Sequence, residues 1–284
     1  MKRVFALLGL ILLLLSGCAR QEQPANVAAT TLPVYEFTSR LCEGAGISVA
    51  RLITENVSCL HDYSLNVRQV RAAEAADLIV ISGAGLEDFM DDLLAGKNII
   101  DSSKDIDLLT PECDHDHHHE ADAHIWLSPE NAKQMARNIC VALCDKYPAH
   151  REVFEANLQA LLADIDALHA YADTQLAALK YRELITFHDG FGYLAHAFDL
   201  QILAAVEEES GSEASAAELK HLIQLVRDHD LPAVFTERNG SVSAAEIIAA
   251  ETGANIYSLD MAMSGDSWME AMYQNIDTLK EALG

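Results

Sequence analysis

The densest run of potential metal-binding side chains lies between Cys113 and Pro129, read CDHDHHHEADAHIWLSP. Within Asp114 to Glu120 it offers the imidazoles of His115, His117, His118 and His119 together with three carboxylates. Neutral imidazole binds borderline divalent cations such as zinc, and short His-rich tracts are a compositional sign of metal binding. No apolar residue anchors this tract, so it reads as an auxiliary metal loop; its bland reading is a solvated acidic loop. His124 is different. Ile125 and Trp126 follow it directly and read as the edge of a core able to hold its ring in place.

Three more candidates follow predicted strands. His61 lies beyond a strand expected over 48–53, His188 comes directly after one over 184–187, and Asp260 directly after one over 255–259. Ligands of open α/β sheets bind outside the carboxyl ends of the strands, and between two lobes those ends can face each other. His61 and His124 come from the first half of the chain, His188 and Asp260 from the second. Three imidazoles and a carboxylate saturate a tetrahedral zinc, and a site without an open position favours holding the ion over reacting on it. Manganese, which prefers more oxygen ligands, is the alternative cargo. Taken singly, a histidine after a strand is more often a structural, hydrogen-bonded residue. His150, His169, His196, His221 and His229 fall in helical segments and are assigned to surfaces or packing.

The elements that must position these residues alternate along the chain. Strands are expected over 27–30, 48–53, 78–81 and 99–100, with helices over 35–41, 67–76, 86–94 and from Pro129, after the capping Ser128, to about Tyr147. Phe154, Leu158, Leu161, Ile165 and Leu168 then repeat at helical spacing in a segment with no glycine or proline after Pro148. This predicts one linking helix over 148–179, roughly 45 Å long. Strands over 184–187, 200–206, 233–236 and 255–259 alternate with helices over 192–198, 216–228, 244–251 and 267–283. The pattern predicts an α/β fold of two lobes with mainly parallel sheets.

Composition narrows the partners. The chain has 284 residues, half of them hydrophobic, enough for one large or two ordinary domains. Its net charge of −25 argues against nucleic acid or an anionic membrane surface and favours cations. Lys2 and Arg3 precede an apolar run from Val4 to Leu15, the length of a signal-peptide core and too short to span a bilayer. It closes on Leu15-Ser16-Gly17-Cys18, which resembles the bacterial lipobox, so Cys18 is the expected lipidation site and mature N-terminus. The expected organisation is a signal peptide over 1–17, a tether over 18–29, a first lobe over 30–147, the linking helix, and a second lobe over 180–284. The protein would be exported and lipid-anchored to the outer face of the bacterial cell membrane. Cys42, Cys59, Cys113, Cys140 and Cys144 remain, an odd number, so at least one stays unpaired. Cys140 and Cys144, four apart on a helix, suit buried thiols better than a disulfide.

Several short motifs in order resemble the zinc and manganese solute-binding lipoproteins of bacterial ABC importers, the ZnuA/TroA group. They are Thr31-Leu32-Pro33-Val34-Tyr35, His61-Asp62-Tyr63, Ala76-Asp77-Leu78-Ile79-Val80 with Gly83-Ala84-Gly85-Leu86-Glu87, His124-Ile125-Trp126-Leu127-Ser128-Pro129, Phe187-His188-Asp189-Gly190-Phe191-Gly192-Tyr193, Glu251-Thr252-Gly253-Ala254 and Gly265-Asp266-Ser267. The resemblance implies two α/β lobes joined by a rigid helix, a metal at their interface held by His61, His124, His188 and Asp260, and a monomer that serves an ABC permease and its ATPase subunit. The chain departs from the family at Ser58-Cys59-Leu60 and Ser64-Leu65-Asn66, on either side of His61, and Cys59 either packs, pairs or approaches the metal. Two other classes compete with this non-enzymatic reading. One is a secreted zinc hydrolase using His188-Asp189 or Glu237 as a base, although no H-E-x-x-H or G-x-S-x-G motif is present. The other is a metal-binding adhesion lipoprotein.

Overall fold

The computed structural model describes residues 25–56, 60, 63–109, 121–206 and 214–284. The expected signal segment with Cys18, His61 with its neighbour Cys59, and the His-rich tract with Cys113 lie outside the described residues.

Strands β1 (Val27–Ala29), β2 (Val49–Arg51), β3 (Leu78–Ile81) and β4 (Ile99–Asp101) form a parallel sheet in the order β2-β1-β3-β4. Strands β5 (Glu183–Thr186), β6 (Gln201–Ala205), β7 (Ala233–Glu237) and β8 (Asn255–Leu259) form a second parallel sheet in the order β6-β5-β7-β8. Counted from its own first strand, each sheet runs 2-1-3-4. The two halves therefore share a topology, with a reversal of strand order between the first and third strands of each. The β1 and β3 residues Val27, Ala28, Ala29, Ile79 and Val80 are buried, as expected of short apolar strands covered on both faces by helices.

Local chemistry sets the helix ends. Ser128 Oγ accepts the Asn131 N–H and Pro129 opens the helix Pro129–Lys146. Asn66 with Gln69, and Ser215 with Glu218, form reciprocal capping boxes at Val67–Ala75 and Ala216–Asp228. After a 3-10 turn at Pro148–His150, the linking helix Arg151–Leu176 runs 26 residues, about 39 Å. Its stripe of Phe154, Leu161, Ile165, Leu168, Ala172 and Leu176 is buried. That stripe packs against helices Leu32–Leu41 and Pro129–Lys146 of the first half and Trp268–Leu283 of the second. One continuous core thus crosses both halves, with a smaller cluster around Ile185, Val234 and Ile248 beneath the second sheet.

Two indoles fasten the halves together. Trp126 Nε1 donates to the Met261 carbonyl at 2.7 Å, and Trp268 Nε1 donates to the Trp126 carbonyl at 3.1 Å. Both side chains are fully buried.

Two expectations shift. The first helix begins at Leu32, not Tyr35, because Pro33 occupies its first turn. The helix expected over 86–94 is a 3-10 turn, Asp88–Met90, followed by a single helical turn, Asp91–Leu94. Gly83, Ala84 and Gly85 all have positive φ, and Glu87 turns inward to accept the N–H groups of Ser82 and Gly83, which commits the backbone before it to a turn. Cys42, Cys140 and Cys144 are buried free thiols, and burial pushes Cys42 and Cys140 up to about 12. Such thiols are inert.

Candidate metal centre

Adjacent strands of the second sheet set out three side chains in a row. Thr186 pairs with Phe235, and the Phe187 N–H donates to the Phe235 carbonyl at 2.9 Å, so the chain leaves β5 with His188 beside the end of β7. That end is Glu237, whose own partner on β8 is Leu259, the residue before Asp260. Glu237 Oε2 lies 3.8 Å from His188 Nδ1. These residues stand at the carboxyl edge, where the order of the strands reverses, the place where open α/β sheets take ligands.

Asp260 is firmly aimed. Its N–H donates to Asn275 Oδ1 and its carbonyl accepts from Asn275 Nδ2, both at 2.7 Å. Its Oδ1 accepts the Ala262 N–H at 2.8 Å and its Oδ2 accepts from Arg238 Nη1 at 2.7 Å. Each carboxylate oxygen has two lone pairs, so a monodentate bond to a cation remains open. Glu237 and Asp260 are 5% and 8% exposed. Burial first, and then the charge of Asp260, push Glu237 up to about 8.

His124 arrives from the first half, at the start of the 3-10 turn Ile125–Leu127 whose side chains are buried. Asp122 Oδ1 accepts the His124 N–H at 2.8 Å and meets its Nδ1 at 2.9 Å. With the proton on Nδ1 directed at Asp122, Nε2 is left as the ligand nitrogen, the usual carboxylate–histidine arrangement around metals. The His124 and His188 rings meet edge to face, centroids 5.4 Å apart at 84°.

The segment Gly190-Phe191-Gly192-Tyr193 explains itself against this geometry. A Cβ on Gly190 would lie 2.6 Å from Met261 Cε, 2.7 Å from His188 Cδ2 and 2.9 Å from His124 Cε1. Both of those ring carbons are bonded to Nε2, so the two Nε2 edges converge over a residue that must lack a side chain. A Cβ on Gly192 would lie 2.8 Å from Asp122 Oδ2, so the second glycine makes room for the carboxylate that braces His124. Tyr193 OH accepts the Leu109 N–H at 2.9 Å and donates to the Asp122 carbonyl at 3.1 Å. The Asp122 N–H donates to the Leu109 carbonyl at 2.9 Å. Leu109 and Asp122 are thus joined to each other and to Tyr193 of the second half.

Of the expected ligands, His124 and His188 are brought into contact, and Asp260 lies near His188 by way of Glu237. His61 lies outside the described residues, as do His115, His117, His118 and His119. Its flanks are anchored: Leu60 is buried, the Tyr63 N–H donates to the Leu60 carbonyl, and Tyr63 OH donates to Glu55 Oε2 at 3.0 Å while accepting from Gln69 Nε2 at 2.6 Å. Among the described residues, no three His, Cys, Asp or Glu side chains form a group that could hold a metal ion. Asp122, Arg238, Asn275 and Gly190 were not singled out from the sequence, and Glu237 was considered only as a hydrolytic base. Asp122 lies two residues from a ligand candidate, a signal that was available. The position of Glu237 depends on pairing between β5 and β7, distant in sequence.

Comparison with known proteins places the chain. A family model described as ZnuA, zinc-uptake complex component A periplasmic, matches residues 27–282. The zinc-binding lipoprotein AdcA of Streptococcus pneumoniae is 31% identical over 309 residues, covering 99% of this chain; the chain spans 61% of the length of that relative. The high-affinity zinc uptake system protein ZnuA of Bacillus subtilis is 28% identical over 282 residues, covering 91% of this chain and 87% of its own length. A crystal structure of ZnuA superposes with a TM-score of 0.81 at 30% identity, covering 92% of this chain and all of that one. The chain belongs to the ZnuA family of periplasmic zinc-uptake components.

Proposed function

We propose that this protein is an extracytoplasmic receptor that captures zinc and delivers it to an ABC permease. The observation that carries the reading is the convergence of two imidazoles from opposite halves over Gly190, that of His124 braced by Asp122, on the side of the second sheet where Asp260 is held. His61, His124, His188 and Asp260 are the proposed ligands. Three nitrogens and one oxygen suit zinc better than manganese. AdcA and the Bacillus subtilis ZnuA, named for zinc binding and zinc uptake, support the same choice.

A site closed by four protein ligands leaves no position for an attacking water, which favours holding the ion over hydrolysis. That argues for a receptor and against Glu237 or Asp189 as a catalytic base. Cys18 is the proposed lipid anchor, and among the described residues no helix is long and apolar enough to cross a membrane. Elemental analysis of protein purified without added metal tests the reading. One equivalent of zinc is expected; manganese in its place would overturn the metal assignment, and neither metal, with none taken up on titration, would overturn the receptor.

A further inference from the structure

Each of the two imidazoles has a carboxylate on its Nδ1 side. His124 has Asp122 against its Nδ1 at 2.9 Å, and Glu237 Oε2 lies 3.8 Å from His188 Nδ1. Glu237 is 5% exposed, the last residue of β7, with His188 on one flank and Asp260 on the other. A buried carboxylate is costly unless it is paired or hydrogen-bonded, so its retention here calls for a partner. The register of β5 against β7 supplies one, because it brings His188 out of the sheet alongside Glu237.

Orientation decides what Glu237 does. The Cδ2 edge of His188 faces the space above Gly190, where the Cε1 edge of His124 also lies, so Nε2 is the nitrogen of His188 turned toward the other imidazole. Nδ1 is on the opposite side of the ring, facing Glu237. A direct bond from Glu237 to the same ion would require the ring to turn over. A small shift of the Glu237 carboxylate, by contrast, closes 3.8 Å to a hydrogen bond without moving the imidazole, so Nε2 stays where it is.

We propose that Glu237 is a positioning residue of the zinc site: it accepts the Nδ1–H of His188, fixes the tautomer that presents Nε2, and does for His188 what Asp122 does for His124. The inference rests on the zinc-receptor reading above. It implies that each half of the chain contributes a carboxylate–imidazole pair, Asp122–His124 and Glu237–His188, meeting over one glycine.

The test uses the mature chain carrying Glu237→Leu or Glu237→Gln, each also combined with His188→Ala. Zinc affinity is read by competition with a chromophoric chelator, the ligand field by the visible spectrum of the cobalt(II) form, and folding by circular dichroism. Glu237→Leu removes the acceptor at similar volume and is expected to weaken zinc about 10- to 100-fold, the usual effect of losing such a brace. Glu237→Gln still accepts from Nδ1–H and is expected to recover most of that loss, with a cobalt spectrum close to that of the unaltered protein. In the His188→Ala background, Glu237→Leu should change affinity by less than about threefold, since a brace has nothing left to position. Unchanged affinity and cobalt spectrum in folded Glu237→Leu would overturn the proposal. So would a full, additive loss in the His188→Ala background, which would make Glu237 a ligand in its own right. If the unaltered chain binds no zinc, or binds it equally well without His188, the receptor reading fails first and this proposal falls with it; the parent and His188→Ala proteins alone report that case.

Discussion

Replacing Gly190 by Ala is the sharpest perturbation of the site. The φ of Gly190 is not in the left-handed region, so alanine adds no backbone strain there. The methyl would instead sit 2.6 Å from Met261 Cε, 2.7 Å from His188 Cδ2 and 2.9 Å from His124 Cε1. Ordinary carbon contacts lie near 3.5–4.0 Å, so each neighbour must retreat by about 1 Å. The Met261 side chain is flexible and can yield, which keeps the stability cost near the lower end of the range for overpacking, about 1 kcal/mol. The two rings cannot yield without parting, whereas zinc–nitrogen bonds hold near 2.0–2.1 Å. Structural zinc sites are worth about 10–16 kcal/mol across four ligands, so the loss of one nitrogen costs on the order of 3 kcal/mol, roughly 100-fold in affinity. Chelator competition measures the affinity and urea unfolding of the metal-stripped protein the stability. A folded Gly190→Ala protein with zinc affinity within about threefold of the original would refute the convergence of the two Nε2 edges.

Three other outcomes are expected. Glu87 Oε1 accepts from Thr30 Oγ1 and the Ser82 N–H, and Oε2 from the Gly83 N–H, so Glu87→Ala strands two buried backbone donors and should cost about 2–5 kcal/mol in urea unfolding. Burial pushes the Glu87 carboxyl up from 4.5 to about 7, so the folded chain binds its proton more tightly than the unfolded chain. The stability tied to that proton is fully present below pH 4.5 and is lost as pH rises to about 7; the penalty of Glu87→Ala should therefore be larger at pH 5 than at pH 8, and a pH-independent penalty would contradict the assignment. Arg238→Gln removes a partly exposed guanidinium that pairs with Asp260 while the bond from Ala262 and those with Asn275 stay, so zinc should bind a few-fold more tightly; isothermal titration showing weaker binding would mean that Arg238 is needed to aim the carboxylate. Deleting Asp114 to Glu120 should leave one tight zinc equivalent and remove weaker ones, because His124 is fixed by Asp122 and its buried neighbours independently of the tract; loss of the tight equivalent in a chelator titration would show otherwise.

The fold was legible wherever a local pattern coincided with the tertiary role. The strand Asn255–Leu259 and the helix Ala216–Asp228 have the bounds that their periodicity predicts. The helix expected over 86–94 fails because Glu87 serves the backbone of Ser82 and Gly83, a demand that apolar spacing does not encode. The Thr-Leu-Pro start of the first helix was readable, since proline in the first turn is a start signal, and hydrophobic spacing alone hid it. The proposed ligands His124, His188 and Asp260 were singled out from the sequence because each adjoins an apolar run. The supporting residues were not. Glu237 and Arg238 acquire meaning only from the pairing of β7 with β5 and β8, and Gly190 only from two rings that arrive from opposite halves of the chain.

The central claim is that one zinc ion is held tightly by ligands from both halves, His124 from the first and His188 and Asp260 from the second. Chelator competition on the metal-stripped mature chain, run in parallel with His124→Ala and His188→Ala, tests it most directly. One tight equivalent is expected in the unaltered protein, weakened about 100-fold or more in each variant while both remain folded. A tight equivalent that survives both substitutions would contradict it.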